Sequence, residues 1–392
     1  MVQRQSATAA VRNGIESDTQ YGAVVPPLYL STNYSFDGHK TPREFDYSRS
    51  GNPTRSVLAK TLAELEQGVS AVITSTGMSA ITLVTALLEQ GDVLVVPHDC
   101  YGGSLRLFNH LANKSHFTLN IIDQTDELAW ESAIAAKPAL IWLETPSNPL
   151  LRVVDIEAVV KKAKTVNARV AVDNTFLSPI LQQPIVLGAD IVVHSTTKYI
   201  NGHSDVVGGV VISADNELGE KLDWLANTLG LSGGAFDAYL TLRGIRTLPL
   251  RIKQHEFNAQ RIVAQLHEHS QVAKLYYPGL PEHPEHEIAK KQQRGFGGMI
   301  SFELKGGEDS LVTFLESLTL FSVAESLGGV ESLLAVPATM THRSMDNAAQ
   351  LSAGISPNLI RLSVGIEDSQ DLVNDIQTAL DAAARCNGVD AQ

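Results

Sequence analysis

Lys198 follows three hydroxyl residues at the end of a short apolar run, and this pattern could supply both an amine nucleophile and an anion site. The run Ile191–His194 is rich in β-branched residues and predicts a buried strand. Ser195, Thr196 and Thr197 come next. A lysine in low-dielectric surroundings loses its proton more readily and can form a Schiff base, and hydroxyls can hold a phosphate. Pyridoxal phosphate needs both. On these residues alone, a surface lysine behind a strand is the alternative.

A second candidate site is the segment STGM at 75–78, which lies between a predicted strand and a predicted helix. Backbone amides at a helix N-terminus bind phosphate, and Gly77 would let an anion approach closely. Gly77 and Met78 are therefore candidate phosphate ligands, with a plain N-cap and tight turn as the alternative. The segment matches neither the Walker loop nor the dinucleotide-binding fingerprint.

Three more side chains are placed where they could contact a planar cofactor or its substrate. Asp173 ends the apolar run VAVD and could pair with a pyridinium nitrogen, although strand-end aspartates also bind metals or cap helices. Tyr101 precedes two glycines and could stack on a planar ring, or it is a core tyrosine in a turn. Arg361 lies inside a late apolar run, where its guanidinium suits a substrate carboxylate or a structural salt bridge.

The elements that carry these residues alternate between strand and helix. Short apolar strands are predicted at 71–74, 93–96, 139–143, 170–172, 191–193 and 207–212, with helices such as Ile156–Lys164 between several of them. Repeated strand–helix units predict an α/β fold with a mostly parallel sheet between helices. Ligands of such sheets bind beyond the carboxyl ends of the strands, which is where the candidate residues cluster.

The two ends of the chain differ from this central pattern. Residues 1–48 are predicted to be an irregular arm, because they are polar and contain Pro26 and Pro27, and such an arm must be held by its own core or by another subunit. A long helix is predicted from about Leu240 to Glu268, followed by separate strands at 298–304 and 359–364. We predict a cofactor-binding α/β domain at 49–250 and a smaller C-terminal α+β domain at 251–392.

Composition narrows the classes of partner. The formal net charge is −13 with no basic stripe, which argues against a nucleic-acid partner. No apolar run approaches the length of a membrane helix, and the first ten residues contain no signal-peptide segment. Two cysteines exclude a disulfide framework and fit a reducing cytoplasm. Histidines near residue 285 lack the spacing of a metal site, so no metal is expected.

Six motifs in the same order resemble the Cys/Met-metabolism family of pyridoxal-phosphate enzymes, which have fold type I. They are DYSRSGNPT (46–54), STGM (75–78), PSNP (146–149), VDNT (172–175), STTKY (195–199) and SLGGVES (326–332). The resemblance covers essentially the whole chain. It implies a seven-stranded, mostly parallel sheet and a homotetramer built from dimers with shared active sites.

The resemblance also implies a role for each matching residue. Lys198 would bind the cofactor covalently and move protons, Asp173 would pair with the pyridine nitrogen, and Tyr101 would stack on the ring. Arg361 would bind the substrate α-carboxylate with help from Asn148, and Ser326 would lie near the lysine. The phosphate would be held by Gly77, Met78, Ser195 and Thr197, and by Tyr47 and Arg49 from the neighbouring subunit.

Within the family, the sequence is most similar to the enzymes that replace the γ-substituent of an O-acylhomoserine. The implied reaction joins O-succinyl-L-homoserine and L-cysteine into L-cystathionine for methionine biosynthesis. Arg106 could bind the succinyl carboxylate, and Asp46 and Glu325 could hold the amine of cysteine. Gly103 replaces the cysteine of methionine γ-lyases and counts against that activity. Cleavage of cystathionine at its γ or β position, and O-acylhomoserine sulfhydrylation, remain open.

Overall fold

The computed structural model describes residues 4–341, 343, 350 and 353–386. The chain divides into two compact units, each assembled from separate segments. The first unit contains the described residues of Met1–Pro97, Arg106–Leu143 and Ile156–Pro249. The second contains those of His98–Leu105, Glu144–Asp155 and Leu250–Gln392.

Seven strands form one sheet, in the order β1-β7-β6-β5-β4-β2-β3. They are β1 (Ser70–Thr74), β2 (Val93–Pro97), β3 (Thr118–Ile122), β4 (Leu140–Glu144), β5 (Arg169–Asp173), β6 (Ile191–His194) and β7 (Gly209–Ser213). β7 runs antiparallel to both β1 and β6, whereas β5 and β6, β2 and β4, and β2 and β3 pair in parallel. The predicted α/β fold with a mostly parallel seven-stranded sheet is confirmed.

Among the described residues up to Glu268 there are ten helices. They are α1 (Ser6–Arg12), α2 (Pro53–Glu66), α3 (Gly77–Thr85), α4 (Gly102–Asn113), α5 (Glu127–Ala135), α6 (Ile156–Lys164), α7 (Ser178–Leu181), α8 (Asn216–Leu229), α9 (Ala235–Ile245) and α10 (Leu248–Glu268). The central strands are apolar along nearly their whole length because both faces are covered, as β6 and β7 illustrate. The polar side chains of the site therefore follow the strands rather than lie within them.

The start of α2 illustrates how local sequence sets an element. Asn52 caps the helix, because its Oδ1 accepts a hydrogen bond from the backbone N–H of Arg55 at 3.1 Å. Pro53 occupies the first helical position, where its missing N–H costs nothing. Leu58 and Leu62 are buried in the core that α2 shares with strands β1, β6 and β7.

The N-terminal arm is less irregular than its sequence predicts. It contains α1, whose Ala9 and Ala10 are buried in the same core cluster as Leu62. Arg246 reinforces this attachment by donating to the backbone carbonyls of Ala10, Val11 and Asn13. Part of the arm is thus held by its own chain, because two small alanines are enough to seat a short helix.

Two further predictions need correction. The single helix expected from Leu240 to Glu268 is two helices, α9 and α10. Pro249 explains the break, because it has no N–H to donate to the carbonyl of Ile245 four residues earlier and its ring clashes with that carbonyl, so α9 ends at Ile245. Strand β3 is absent from the predicted set. It lies at the edge of the sheet and is only partly buried, so its sequence lacks the continuous apolar run of the other strands.

The second unit contains a five-stranded sheet in the order β10-β11-β12-β9-β8. Its elements are β8 (Val272–Tyr276), α11 (His286–Gln292), β9 (Met299–Leu304), α12 (Glu308–Ser317), β10 (Ser322–Val323), β11 (Leu333–Ala335), β12 (Leu359–Ser363) and α13 (Ser369–Cys386). β12 is central and antiparallel to both neighbours. Among the helices in the described ranges, none is long and apolar enough to cross a membrane.

The Arg246→Gln substitution should loosen the N-terminal arm. It removes hydrogen bonds from a charged donor to three carbonyls, at a cost of at least about 1.5 kcal/mol. Trypsin cleavage after Arg12, followed by mass spectrometry under native conditions, should therefore accelerate about tenfold or more.

Arg243→Gln is the matched control, since Arg243 is exposed near the end of the same helix. Cleavage after Arg12 at the same rate in both variants would show that Arg246 does not anchor the arm.

Candidate active site

The N-terminus of α3 forms a cradle at the carboxyl end of β1. Thr76 caps the helix by accepting from the backbone N–H of Ser79 at 2.8 Å. No described residue accepts a hydrogen bond from the backbone N–H of Gly77 or Met78, so both donors are available to an anion. A Cβ atom at Gly77 would lie 2.8 Å from the Cβ of Ser195, so only glycine permits this close approach.

The segment after β6 brings the hydroxyl cluster and the lysine to the same edge of the sheet. The backbone N–H of Ser195 donates to Thr175 Oγ1 at 3.0 Å, and Thr197 Oγ1 accepts from the backbone N–H of Gly208 at 3.0 Å. Lys198 lies in the turn that follows, which is closed by a bond from the N–H of Gly202 to the Lys198 carbonyl at 2.8 Å. The Lys198 side chain is partly buried.

Asp173 is the last residue of β5, the strand beside β6. Its Oδ1 accepts two hydrogen bonds from Thr175, from Oγ1 at 2.6 Å and from the backbone N–H at 3.1 Å. Within the described part of the chain, nothing donates to Oδ2. Burial raises the pKa of the Asp173 carboxyl, while the Thr175 hydrogen bonds and the nearby His194 act in the opposite direction.

Four further predicted residues, three at the end of the arm and one on α4, lie on the surface of the first unit. Asp46, Tyr47 and Arg49 are exposed, and Arg49 donates from Nη1 to both the backbone carbonyl and the side-chain oxygen of Asn227 at 2.6 Å. Arg106 is exposed on α4 and bonds to no other described residue, so its guanidinium is available to a ligand.

In the second unit, the structure brings together three of the predicted substrate residues. Arg361 is only 3% exposed, and it donates from Nη1 to Asn148 Oδ1 and from Nη2 to the Ser326 carbonyl, both at 2.9 Å. Ser326 adopts a φ of 95°, an unfavourable angle for a residue with a side chain, which indicates that its neighbours impose it. The neighbouring Glu325 is exposed.

Tyr101 belongs to the same unit. Its backbone N–H donates to Glu144 Oε2 at 2.8 Å, and 43% of the residue is exposed. The adjacent Asp99 accepts from Arg152 at 2.8 Å and from Ser147 Oγ at 2.7 Å. These buried bonds tie the segment before Tyr101 to the segment that carries Asn148.

Comparison with known proteins identifies the family. The sequence matches Cys/Met metabolism PLP-dependent enzymes over residues 7–381. The chain belongs to this family.

Two members share 56% of their residues with the chain. Cystathionine γ-synthase of Escherichia coli K12 aligns over 97% of the chain and 99% of its own length. The crystal structure of cystathionine γ-synthase from Xanthomonas oryzae pv. oryzae with aminoacrylate and cysteine has a TM-score of 0.97 over the same shares. A cystathionine β-lyase of Lactococcus lactis subsp. cremoris MG1363 is 46% identical over 95% of the chain and 98% of its own length.

Members of this family depend on pyridoxal phosphate, and the residues of the first unit fit that cofactor. The two available amides at Gly77 and Met78 suit a phosphate, and the close approach at Gly77 leaves room for it. The unpartnered Oδ2 of Asp173 suits a protonated ring nitrogen, and Lys198 supplies the amine at the same edge of the sheet.

Sequence reasoning missed two features of this family site. Thr175 orients Asp173, and a polar residue two positions after a strand-end aspartate is a usable signal for that contact. The other is a buried pair, Glu66 and His194, joined at 2.6 Å. Glu66 lies four residues after Leu62 on the apolar face of α2, and that position was the available signal.

The Asp173→Asn substitution should stabilise the cofactor-free protein at neutral pH and weaken cofactor binding. Because the folded-state pKa of Asp173 is raised above its ordinary value of 3.8, stability falls as the pH rises from 3.8, and the full cost applies above the raised pKa. Loss of a buried charge partner should lower the affinity for pyridoxal phosphate by about thirtyfold or more. Thermal denaturation with and without cofactor, and titration of the cofactor-free protein, measure both effects.

The gain in stability should shrink as the pH falls towards 3.8, where Asp173 of the wild type becomes protonated. A variant that is less stable than wild type at neutral pH without cofactor would contradict the assigned environment of Asp173.

Proposed function

We propose that this enzyme joins O-succinyl-L-homoserine and L-cysteine into L-cystathionine, releasing succinate. The observation that carries the proposal is 56% identity, over 97% of the chain, to the Escherichia coli cystathionine γ-synthase, against 46% for the Lactococcus β-lyase. The similar Xanthomonas oryzae enzyme was crystallised with cysteine, which is one of the two proposed substrates.

In this proposal Lys198, Gly77, Met78, Ser195, Thr197, Asp173 and Tyr101 hold pyridoxal phosphate. The bound cofactor supplies an electron sink for carbanion chemistry at the substrate's Cα. Asp173 keeps the ring nitrogen protonated, and Tyr101 supports the ring by stacking. The amides of Gly77 and Met78 hold the phosphate at the N-terminus of α3.

Proton transfer is assigned to Lys198. Its Nζ, released when substrate binds, takes the proton from Cα and carries a second proton from Cβ. Arg361 holds the α-carboxylate with Asn148 and so fixes the orientation of the Cα–H bond. The Cγ–O bond then breaks to release succinate, and the cysteine sulfur forms the Cγ–S bond as the thiol gives up its proton. Lys198 Nζ returns protons to Cβ and Cα, so the only net proton released is that of the thiol.

Substrate choice is assigned to residues at the margin of the site. Arg106, which is exposed and bonds to no other described residue, receives the succinyl carboxylate. Asp46 and Glu325 are assigned to the ammonium group of cysteine, and Ser326 is assigned to substrate binding. Gly103 at the start of α4 separates the chain from methionine γ-lyases.

Assembly completes the proposal. We propose a cytoplasmic homotetramer of two dimers, in which Tyr47 and Arg49 of one subunit contact the cofactor phosphate of its neighbour. Their exposure supports this role, and so do exposed apolar residues elsewhere in the arm, namely Tyr21, Val24, Val25 and Leu30.

The direct test is incubation of the holoenzyme with O-succinyl-L-homoserine and L-cysteine, with products identified by mass spectrometry. A parallel reaction contains cystathionine alone. Cystathionine formation in the first reaction with little breakdown in the second is the expected result. Rapid breakdown of cystathionine without synthesis would assign the protein to the lyases instead.

The Arg106→Gln substitution should raise the KM for O-succinyl-L-homoserine about tenfold or more and leave the KM for O-acetyl-L-homoserine nearly unchanged. The reason is that only the succinyl ester carries a second carboxylate, and a charge-assisted hydrogen bond contributes about 1.5–3 kcal/mol. Steady-state kinetics with both esters measure the effect, and the acetyl ester is the internal control. An unchanged preference between the esters would refute the assignment.

A further inference from the structure

Glu66 and His194 form a buried pair that the proposed mechanism does not use. Glu66 ends α2 and His194 ends β6, and neither residue is exposed. His194 Nε2 lies 2.6 Å from Glu66 Oε1. A charged group is rarely fully buried without a specific partner, because removing it from water is costly.

Asn174 orients Glu66 towards His194. Its Nδ2 contacts the Gln182 backbone carbonyl at 2.8 Å, and a carbonyl can only accept, so the orientation of the Asn174 amide is fixed. The same Nδ2 donates to Glu66 Oε1 at 2.8 Å. Oε1 thus accepts from Asn174 and also faces His194 Nε2, an arrangement that suits a carboxylate, while Oε2 is buried without a hydrogen-bond partner within the described ranges.

The pair lies next to Asp173. β5 and β6 are adjacent and parallel, Asp173 is in register with Val193, and Asn174 directly follows Asp173. His194 Nδ1 is buried and has no hydrogen-bond partner within the described ranges. His194 also lowers the pKa of the Asp173 carboxyl through its charge. Glu66, His194 and Asp173 thus follow one another towards the cofactor position.

We infer that Glu66 is a positioning residue for the cofactor: by holding His194 as an imidazolium, it favours the ionised Asp173 that pairs with the protonated ring nitrogen. The inference rests on the role proposed for Asp173 and is independent of the identity of the substrate. If Glu66 merely anchored α2 to the sheet, its loss would affect every ligand of the site to the same extent.

The test compares two ligands of the cofactor-free protein: pyridoxal phosphate, and its analogue in which carbon replaces the ring nitrogen. Both ligands carry the phosphate and the aldehyde that reacts with Lys198. The ratio of their affinities therefore reports the contribution of the ring nitrogen alone. In the wild type, this ratio should rise with pH as Asp173 ionises. His194 is the neighbour whose charge acts on Asp173, Glu66 contacts His194, and Lys198 acts on both ligands alike.

Glu66→Gln should move the midpoint of that rise upwards by about one pH unit, so that the ratio below the midpoint falls about tenfold. His194→Gln should do the same, because its amide can still donate to Glu66 but carries no charge. If the Glu66→Gln variant does not fold, His194→Gln tests the inference on its own. Asp190→Asn is the matched control, because Asp190 accepts from the backbone N–H of Val170 at 2.7 Å at the opposite end of β5. In this variant the midpoint of the affinity ratio should stay at the wild-type pH.

Two outcomes separate this inference from the proposal on which it rests. A midpoint that stays at the wild-type pH in both variants, with both affinities reduced equally, would leave Glu66 a purely structural role and overturn the inference. A wild type whose affinity ratio does not change with pH would instead contradict the role of Asp173 itself.

Discussion

In the function that we propose, a carboxylate must stay ionised at the shielded end of β5. Burial penalises the charged form of Asp173. The two hydrogen bonds from Thr175 counteract the penalty directly, and the neighbouring His194 counteracts it through its charge. In the proposed site, the same shielding would strengthen the attraction between Asp173 Oδ2 and a positive charge on the cofactor ring. The low-dielectric surroundings thus raise the cost of ionising Asp173 and would also strengthen its attraction to the cofactor ring.

The direction of the strands determines which side chains can share this position. β7 runs against both β1 and β6, so β1 and β6 point the same way, and β6 is parallel to β5. The carboxyl ends of these three strands therefore lie at one edge of the sheet. They deliver the α3 N-terminus with Gly77, the Asp173 carboxylate and the turn with Lys198. The apolar composition of the strands makes this arrangement necessary, because polar groups inside them would be buried without partners.

The residues that follow apolar runs could be predicted from sequence, and distant contacts could not. Asp173 is the last residue of a strand, and Gly77 and Lys198 come shortly after the ends of two others. The sequence pattern and the resemblance together therefore indicate their roles. Glu66 and His194 are 128 positions apart, and only the fold brings them together. Arg361 and Asn148 are 213 positions apart, and only the family resemblance assigned them to one site before the fold showed their contact.

Errors in the predicted elements have equally local causes. The amphipathic pattern continues across Pro249, which hides the break between α9 and α10. Edge strand β3 lacks an apolar run, and α1 is too short and too polar to stand out from the arm. The central strands, in contrast, differ from prediction by only a residue or two at their ends.

The central claim is that Asp173 keeps the cofactor ring nitrogen protonated, and nuclear magnetic resonance tests it most directly. The holoenzyme would be reconstituted with pyridoxal phosphate labelled with nitrogen-15 in the ring, and its chemical shift followed from acidic to alkaline pH. We expect the shift of a protonated nitrogen, retained well above the pH at which the free cofactor loses that proton. The shift of an unprotonated nitrogen at neutral pH would contradict the account.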